Sequence, residues 1–406
     1  MNNFSPLRDK KILIGVSGGV AAYKAAILAR LFIKNGANVR VVMTPAAEKF
    51  VGALTFEALA GNLVLREGAE RWDAGLSHIG YAKWADILVV APATANTIAK
   101  LAGGIADNLL LQTALACAAP KILAPAANDE MLAKPAIKRA VTSLIDDGFV
   151  IAGAEIGELA CGDTGEGRMA EPEKIVALAA RVLSARDFWR DRLVIVSGGA
   201  SIEKIDSVRG VTNFSSGKMA AAMAIAAYIF GAKAVFIGNT TNQELSNQNL
   251  PIKYISARSV AEFDENLRSQ IANNKGKKAV LIMAAAISDY APENIAQGKL
   301  KKNDIGDRFN LTLTKTKDIL LNLPKDDIFC VGFKAETDQN SARENAQKML
   351  KEKGLNAVCL NVIGASGVEF GGDRTKIEFF GKNNYIFEGE KRSVAYEILT
   401  ALENEA

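Results

Sequence analysis

Three residues in this chain combine a reactive group with a suggestive setting. The single histidine, His78, follows Ser77 and opens the segment HIGYAKWAD (78–86), so imidazole acid-base chemistry has to use it. Standing alone, such a histidine reads first as a capping or surface residue. Cys161 lies in GELACGDTGEGRMAEP (157–172), a glycine-rich loop of mixed charge with Arg168 nearby, where a thiol can act as an acid or a nucleophile. The other cysteines, Cys117 in LACAAP, Cys330 in IFCVGF and Cys359 in AVCLN, have apolar neighbours and read as small buried hydrophobes. Asn128, in PAAND, follows a strand-like run, at the edge where open α/β sheets bind ligands; as an isolated residue it suits a turn equally well. With no CxxC pair and no HxxxH, the four cysteines and one histidine argue against a zinc cluster or a disulfide framework.

A second group of residues suits phosphate. The tetrapeptide VSGG occurs twice, at 16–19 and 196–199, each time after a hydrophobic strand. A strand, a small-residue turn and a helix aim backbone N–H groups and a helix dipole at one point, although glycine turns also serve merely to pack a helix on a strand. Neither turn is a full GxGxxG. NFSSGKM (213–219) is not a P-loop, because Gly210 lies too far ahead of Gly217-Lys218 and Met219 stands where Ser or Thr is required. Further on, SDY (288–290) and KLKK (299–302) place an acid and several ammonium groups near a glycine turn, which suits a nucleoside triphosphate with magnesium or, more blandly, a solvated charged loop.

The elements that must hold these residues alternate along the whole chain. Strand-like runs at 12–19, 39–44, 85–94, 121–126 and 149–154 are separated by helical patterns, and a charged helix over 172–192 leads to a second series at 193–201, 233–238, 278–286, 327–333 and 356–363. Residues 375–389 read as two antiparallel strands about a Lys-Asn-Asn turn, followed by a last helix. This predicts an α/β protein with two Rossmann-like or flavodoxin-like parallel-sheet domains in tandem, 1–188 and 189–406. The 406 residues exceed the roughly 250–300 at which a single core stops growing. At 49% hydrophobic and 23% charged, the chain can build both cores. Its longest uncharged apolar stretch, 219–232, is shorter than the ~20 residues of a membrane span, and the amino terminus has no apolar secretory core, so a cytoplasmic location is expected. A net charge of +4 is too small to suggest nucleic acid.

Taken together, these motifs resemble the bacterial bifunctional coenzyme A biosynthesis proteins, in which phosphopantothenoylcysteine decarboxylase is fused to phosphopantothenate–cysteine ligase. The amino half resembles the flavin-dependent cysteine decarboxylases through SGGVAAYK (17–24), SHIGYAKWAD, APATANTIAKLAGGIADNLL (91–110), PAAN and LACGDTGEGRMAEP. The carboxyl half resembles the ligase through SGGASIEKIDSVRGVTNFSSGKMA (197–220), AAAISDY, KLKK and GFKAET (332–337). The sequence departs from the usual pattern at Ala127, where the family shows Met, at SGGA with Ala200 in place of TGGT, at Ser207 in IDSVR in place of proline, and at SDY in place of ADY.

The resemblance implies FMN in the first domain, contacted by Ser17, Gly18, Thr44, Thr94 and Asn96, with His78 as base, Asn128 as anchor for the substrate carboxylate and Cys161 as proton donor. Loss of CO2 directly from a cysteine carboxyl would leave an unstabilised carbanion, which is why a flavin electron sink is needed. For the second domain it implies CTP and Mg2+: the carboxylate of 4'-phosphopantothenate forms an acyl-cytidylate, and the cysteine amine then displaces CMP. Asn213 is matched to the acyl-cytidylate and Lys299 to the second half-reaction, with Ala285, Asp289, Lys299, Lys317, Asp318, Ile319, Leu320, Phe333, Lys348 and Lys353 around CTP. The implied assembly is a dodecamer built from decarboxylase trimers, with FMN between subunits, and ligase dimers. Two other functions compete. An NAD-type oxidoreductase in the second half lacks a full GxGxxG with an acidic residue suitably placed after it, and a flavin-binding phosphatase-inhibitory subunit would not need His78, Asn128 and Cys161 together.

Overall fold

The computed structural model describes residues 5–72, 75–158, 164–190, 192–239, 250–274, 278–301, 306, 308–364 and 371–405. The chain divides into two compact units, Ser5–Ser184 and Ala185–Ala406.

In the first unit, β1 (Lys11–Val16), β2 (Asn38–Met43), β3 (Ile87–Ala93), β4 (Lys121–Pro125) and β5 (Phe149–Ile151) form a parallel sheet in the order β2-β1-β3-β4-β5. Every residue of β3, ILVVAPA, is buried, as expected of a strand covered by helices on both faces. Leu13, Leu88, Val90, Ile98, Leu110 and Leu123 join in one core beneath the helices. Side chains mark three helix starts: Ser77 caps His78–Trp84, Thr94 caps Ala95–Ala102 and Asn108 caps Leu109–Ala116, each accepting a hydrogen bond from a first-turn N–H. The chain reverses its direction of winding between β1 and β3, which opens a crevice outside their carboxyl ends.

The glycine-rich segment around Cys161, expected as a loop, contains a short antiparallel hairpin of β6 (Glu155–Glu158) and β7 (Thr164–Arg168). Its glycines answer to close neighbours: a Cβ on Gly165 would lie 2.2 Å from Asp129 Oδ2, and one on Gly157 2.6 Å from Arg168 Nη1. Cys161 itself lies outside the described residues. The helix expected to run to residue 192 ends at Ser184.

The second unit starts with β8 (Leu193–Gly198). Its main sheet is completed by β11 (Lys233–Gly238), β12 (Lys253–Ser256), β13 (Ala279–Met283), β16 (Ile328–Glu336), β17 (Ala357–Val362), β18 (Arg374–Phe380) and β19 (Asn384–Glu390), in the order β12-β11-β8-β13-β16-β17-β18-β19. The first six are parallel and the last two antiparallel. Here the winding reverses between β8 and β13. The apolar run 219–232 supplies the helix Lys218–Ile229, of which residues 220–229 are all buried between β8, β11 and the terminal helix Lys391–Glu405. A helix that is apolar all round has to be covered on every side. Among the described residues no helix is long and apolar enough to cross a membrane.

The two VSGG turns lead into different structures. After Gly19 the helix Ala22–Lys34 starts directly, whereas after Gly199 a hairpin of β9 (Ile202–Lys204) and β10 (Gly210–Thr212) intervenes before Lys218. A Cβ on Gly198 would lie 2.4 Å from Ala220 Cβ and 2.5 Å from Phe236 Cζ, so this glycine lets helix and strand pack closely. A smaller pair, β14 (Tyr290–Pro292) with β15 (Leu313–Lys315), stands beside the sheet.

Candidate functional site

The crevice of the first unit is a cavity of about 1070 Å³, at the upper end of the range of small-molecule sites. Gly18 and Gly19 line it from the β1 turn, Thr44 from the β2 turn, Thr94 and Asn96 from the start of a helix, Asn128 from the β4 turn, and Gly167, Arg168 and Met169 from β7 and the residue after it. Gly18 has to be glycine, because a Cβ there would lie 2.4 Å from Ala46 Cβ and 2.6 Å from the Ala46 carbonyl carbon. Thr44 Oγ1 accepts from Ala47 N (3.2 Å), and Thr94 Oγ1 from Thr97 N (3.3 Å). Asn96 is exposed, and Asn128 Oδ1 accepts from Glu130 N (3.0 Å) at the start of Asp129–Ala133. A glycine turn beside the N-terminus of an eight-residue helix provides N–H donors and a positive dipole end at one end of the cavity, and the apolar side chains of Val20, Ala46, Ala126, Ala127 and Met131 suit a flat ring system.

Ser17 does not line this cavity. It is buried, its hydroxyl donates to Pro92 O (2.7 Å) and accepts from Thr94 N (3.0 Å), and it thereby ties the β1 turn to the β3 turn. Lys24, which sequence reasoning did not single out as a site residue, does line it. Although 7% exposed, this lysine donates from Nζ to Glu171 Oε1 (2.9 Å) and Met169 O (3.3 Å), and Arg168 Nη2 shares the same carboxylate (3.2 Å). Its signal in the sequence is a lone charge on the buried face of a helix whose other charges, Arg30 and Lys34, are exposed.

His78 also lies outside the cavity lining. Its backbone N–H and its Nδ1 both meet Glu70 Oε1, at 3.1 and 2.8 Å, and its ring stands edge-on to Trp72. Burial pushes the Glu70 carboxyl up, but the hydrogen bonds from His78 outweigh it and hold the group below its ordinary value. An ionised partner at Nδ1 keeps the proton there and leaves Nε2 as the free acceptor.

In the second unit, Ser197 Oγ accepts from Ala285 N (3.3 Å), Ala286 N donates to Gly199 O (2.9 Å), and Asn213 Nδ2 donates to Ala286 O (3.1 Å). Asn213 and Ala285 are thus brought together where the sheet reverses, with Asp289 exposed just beyond and Phe333 half-buried near the end of β16. A separate group forms at Ile319–Asn322. Asp318 Oδ1 caps this turn through Leu321 N (3.0 Å) and its Oδ2 pairs with Lys353 Nζ (2.8 Å). Burial raises the Asp318 carboxyl, while Lys353 and the backbone N–H groups lower it further, and the result lies below the ordinary range. Lys317 Nζ pairs with Asp264 (3.1 Å), and Lys348 is exposed, 3.9 Å from Glu352 one helical turn on. Ile319 and Leu320, expected around the nucleotide, are 2% and 4% exposed and turn their side chains into the core, so only their backbone can reach a ligand. Lys299 is exposed, and its ammonium has no partner among the described residues. Nor do the described residues contain a group of three or more His, Cys, Asp or Glu able to hold a metal ion.

Comparison with known proteins divides the chain in the same way. Residues 2–184 match the family described as Flavoprotein, and residues 189–405 match the DNA/pantothenate metabolism flavoprotein C-terminal domain. Among curated relatives, the coenzyme A biosynthesis bifunctional protein CoaBC of Bacillus subtilis is 38% identical, covering 97% of this chain and 96% of its own. Those of Vibrio vulnificus and Escherichia coli are 37% and 33% identical, covering 95% and 92% of this chain and 93% and 91% of theirs. Among solved structures, a C-terminal domain of CoaBC is 28% identical with a TM-score of 0.42, covering 54% of this chain and 97% of its own. A PPC decarboxylase mutant complexed with pantothenoylaminoethenethiol is 35% identical with a TM-score of 0.39, covering 42% and 97%. With both family matches in order and full-length relatives at this identity, the chain belongs to the coenzyme A biosynthesis bifunctional proteins, with a flavin-binding half followed by a pantothenate-metabolism half.

Proposed function

We propose that the second unit ligates 4'-phosphopantothenate to cysteine using CTP, and that the first decarboxylates the product to 4'-phosphopantetheine using FMN, with the boundary near residue 188. The observation that carries this reading is the cavity at the β1/β3 reversal, where Gly18, Thr94, Asn96 and Asn128 of the family's motifs converge on one space.

Gly18 and the Ala95–Ala102 N-terminus hold the FMN phosphate end, and Thr44, Thr94 and Asn96 line its path. The Ser17 hydroxyl acts one step back, by fixing the two turns against each other. When bound, the flavin would supply a reversible two-electron sink, taking the substrate's CH2–SH end to C=S so that the electron pair left by departing CO2 spreads onto sulfur, and returning the same two electrons as hydride to that carbon afterwards. Asn128 orients the substrate carboxylate, His78 takes up a proton at Nε2 with Glu70 steadying the ring, and Cys161 returns a proton to the carbon that lost CO2. Because His78 lies outside the lining of its own cavity, this reading requires the site to be completed by His78 of a neighbouring copy, in keeping with trimers that assemble with ligase dimers into a dodecamer.

In the ligase half, Asn213 holds the acyl-cytidylate beside Ala285, and Asp289, Lys317, Asp318, Phe333, Lys348 and Lys353 surround CTP. Ile319 and Leu320 contribute backbone contacts only. Mg2+ is carried by the triphosphate, in line with the small need of this ion for a protein cage. Lys299 acts when the cysteine amine attacks the acyl carbon and CMP leaves. All substrates are small molecules, and we place the enzyme in the cytoplasm. The test is to supply 4'-phosphopantothenate, cysteine, CTP and Mg2+ to the purified holoprotein and measure pyrophosphate and CO2. Absence of pyrophosphate refutes the ligase; pyrophosphate with 4'-phosphopantothenoylcysteine and no CO2 refutes the decarboxylase.

A further inference from the structure

The turn between β9 and β10 is built around one carboxylate. Asp206 is 1% exposed and accepts five hydrogen bonds. Its Oδ1 takes the N–H groups of Val208 and Arg209, both at 2.7 Å, and its Oδ2 takes Arg209 Nε (3.0 Å), Arg209 Nη2 (2.5 Å) and the N–H of Leu300 (3.2 Å). Arg209 Nη2 also donates to Leu300 O (3.0 Å), so the pair holds both backbone groups of Leu300. Two further bonds zip the same segments together: Ala296 N donates to Ile205 O (3.0 Å) and Ser207 N to Gly298 O (3.3 Å).

Lys299 therefore sits between two anchored residues, Gly298 and Leu300, while its own ammonium projects without a partner among the described residues. An ammonium on a flexible four-carbon stem is only as well placed as its Cα, which gives the anchoring a chemical purpose. Arg209 and the surrounding N–H groups hold the Asp206 carboxyl far below the usual carboxylate range, so the clamp stays charged across the working pH range.

We propose that Asp206 is a positioning residue of the ligase reaction, fixing Lys299 through Leu300 so that its ammonium meets the acyl-cytidylate as cysteine attacks. This rests on the assignment of Lys299 to the second half-reaction. The chemistry is unchanged by the clamp: the amine displaces CMP at the acyl carbon with or without it, and only the placement of the ammonium differs.

The experiment uses the full-length holoprotein carrying Asp206→Asn, which keeps the shape and removes the charge. Pyrophosphate formation from CTP and 4'-phosphopantothenate is measured first without cysteine, and CMP release is then followed after cysteine is added. We expect the first step to stay within about threefold of the unsubstituted protein, and the second to slow about 10- to 100-fold, with acyl-cytidylate accumulating. Added to Lys299→Gln, the Asp206→Asn change should slow CMP release less than about twofold, because both remove one contribution. Asp206→Glu, which keeps the charge, should recover part of the rate and carries the same test if the Asn variant does not fold. An equal loss in both steps, or multiplying effects in the double variant, would make Asp206 merely structural and overturn the proposal. Absence of pyrophosphate from the unsubstituted protein would overturn the ligase reading itself, a separate and distinguishable failure.

Discussion

Two adjacent glycines offer a paired experiment on the flavin cavity. Alanine at position 18 would place its Cβ 2.4 Å from Ala46 Cβ, 2.6 Å from the Ala46 carbonyl carbon and 2.8 Å from its oxygen. The first of these is roughly 1 Å short of ordinary contact, and two of the three atoms are backbone, so the β1 and β2 turns have to separate. Alanine at position 19 meets only Thr94 Cγ2 at 3.5 Å, which is an ordinary contact. Overpacking of this kind costs about 1–3 kcal/mol, and if it falls on the bound state Gly18→Ala weakens FMN binding about 5- to 150-fold. Gly19→Ala should stay within about threefold, since nothing has to move. The assay is titration of flavin-stripped protein with FMN, followed by quenching of flavin fluorescence, with pyrophosphate formation by the second unit as the control for folding. Equal FMN affinity in the two variants would refute the claim that FMN binding depends on the close approach of Gly18 to Ala46.

Other perturbations test separate parts of the molecule. Glu70→Gln keeps an acceptor for His78 but removes the charge, and should slow CO2 release about 10- to 100-fold while flavin absorbance is unchanged. Since the hydrogen bonds from His78 hold the Glu70 carboxyl below its ordinary value, it stays ionised at any pH above the usual glutamate value of about 4.3, so the rate advantage over Glu70→Gln should be the same at pH 8 and pH 6; an advantage that disappears by pH 6 would contradict this. Lys353→Met should cost no more than about 1 kcal/mol of unfolding free energy at pH 7, because the pair is partly solvated, and the difference should shrink only as pH is taken below the ordinary aspartate value of about 3.9, since Lys353 and the backbone N–H groups hold the Asp318 carboxyl lower still; a difference already lost at pH 5 in urea unfolding would count against the pair. Burial pushes the Cys330 thiol up to about 11 and raises Cys117 and Cys359 as well, so iodoacetamide at pH 8 should leave all three unmodified in the native protein, and any label found by peptide mapping belongs to Cys161.

The parallel strands were legible because a strand covered on both faces carries an unbroken apolar run, as ILVVAPA and KAVFIG do. The antiparallel finish was legible for a different reason, the Lys382-Asn383-Asn384 turn between two alternating segments. Three pairs of short strands, β6 with β7, β9 with β10 and β14 with β15, escaped notice. Most are only three residues long, as IEK, GVT, YAP and LTK, or rich in glycine, as TGEGR, and owe their pairing to what they lie against more than to their own propensity. Residue types at the cavity were legible from motif and order, whereas their orientation was not: Ser17 turns inward to Pro92, and the side chains of Ile319 and Leu320 belong to the core. Lys24 was overlooked because its buried pairing depends on Glu171, far away in sequence. Asp206 was overlooked for the same reason, as its distant partner is a backbone N–H that carries no residue-type signal at all.

The division of the chain at Ser184 and Ala185 also has a genetic consequence. The buried apolar side chains of the first unit lie between Leu7 and Ala180 and those of the second from Trp189 onward, so a lesion in a core strikes its own unit first. A cell carrying two defective alleles, one with a lesion at the flavin cavity and one with a lesion at the β8/β13 crevice, would still contain one sound copy of each half. Such alleles should complement each other, whereas two lesions in the same half should not, and the boundary between complementation groups would map the joint between the units from phenotype alone.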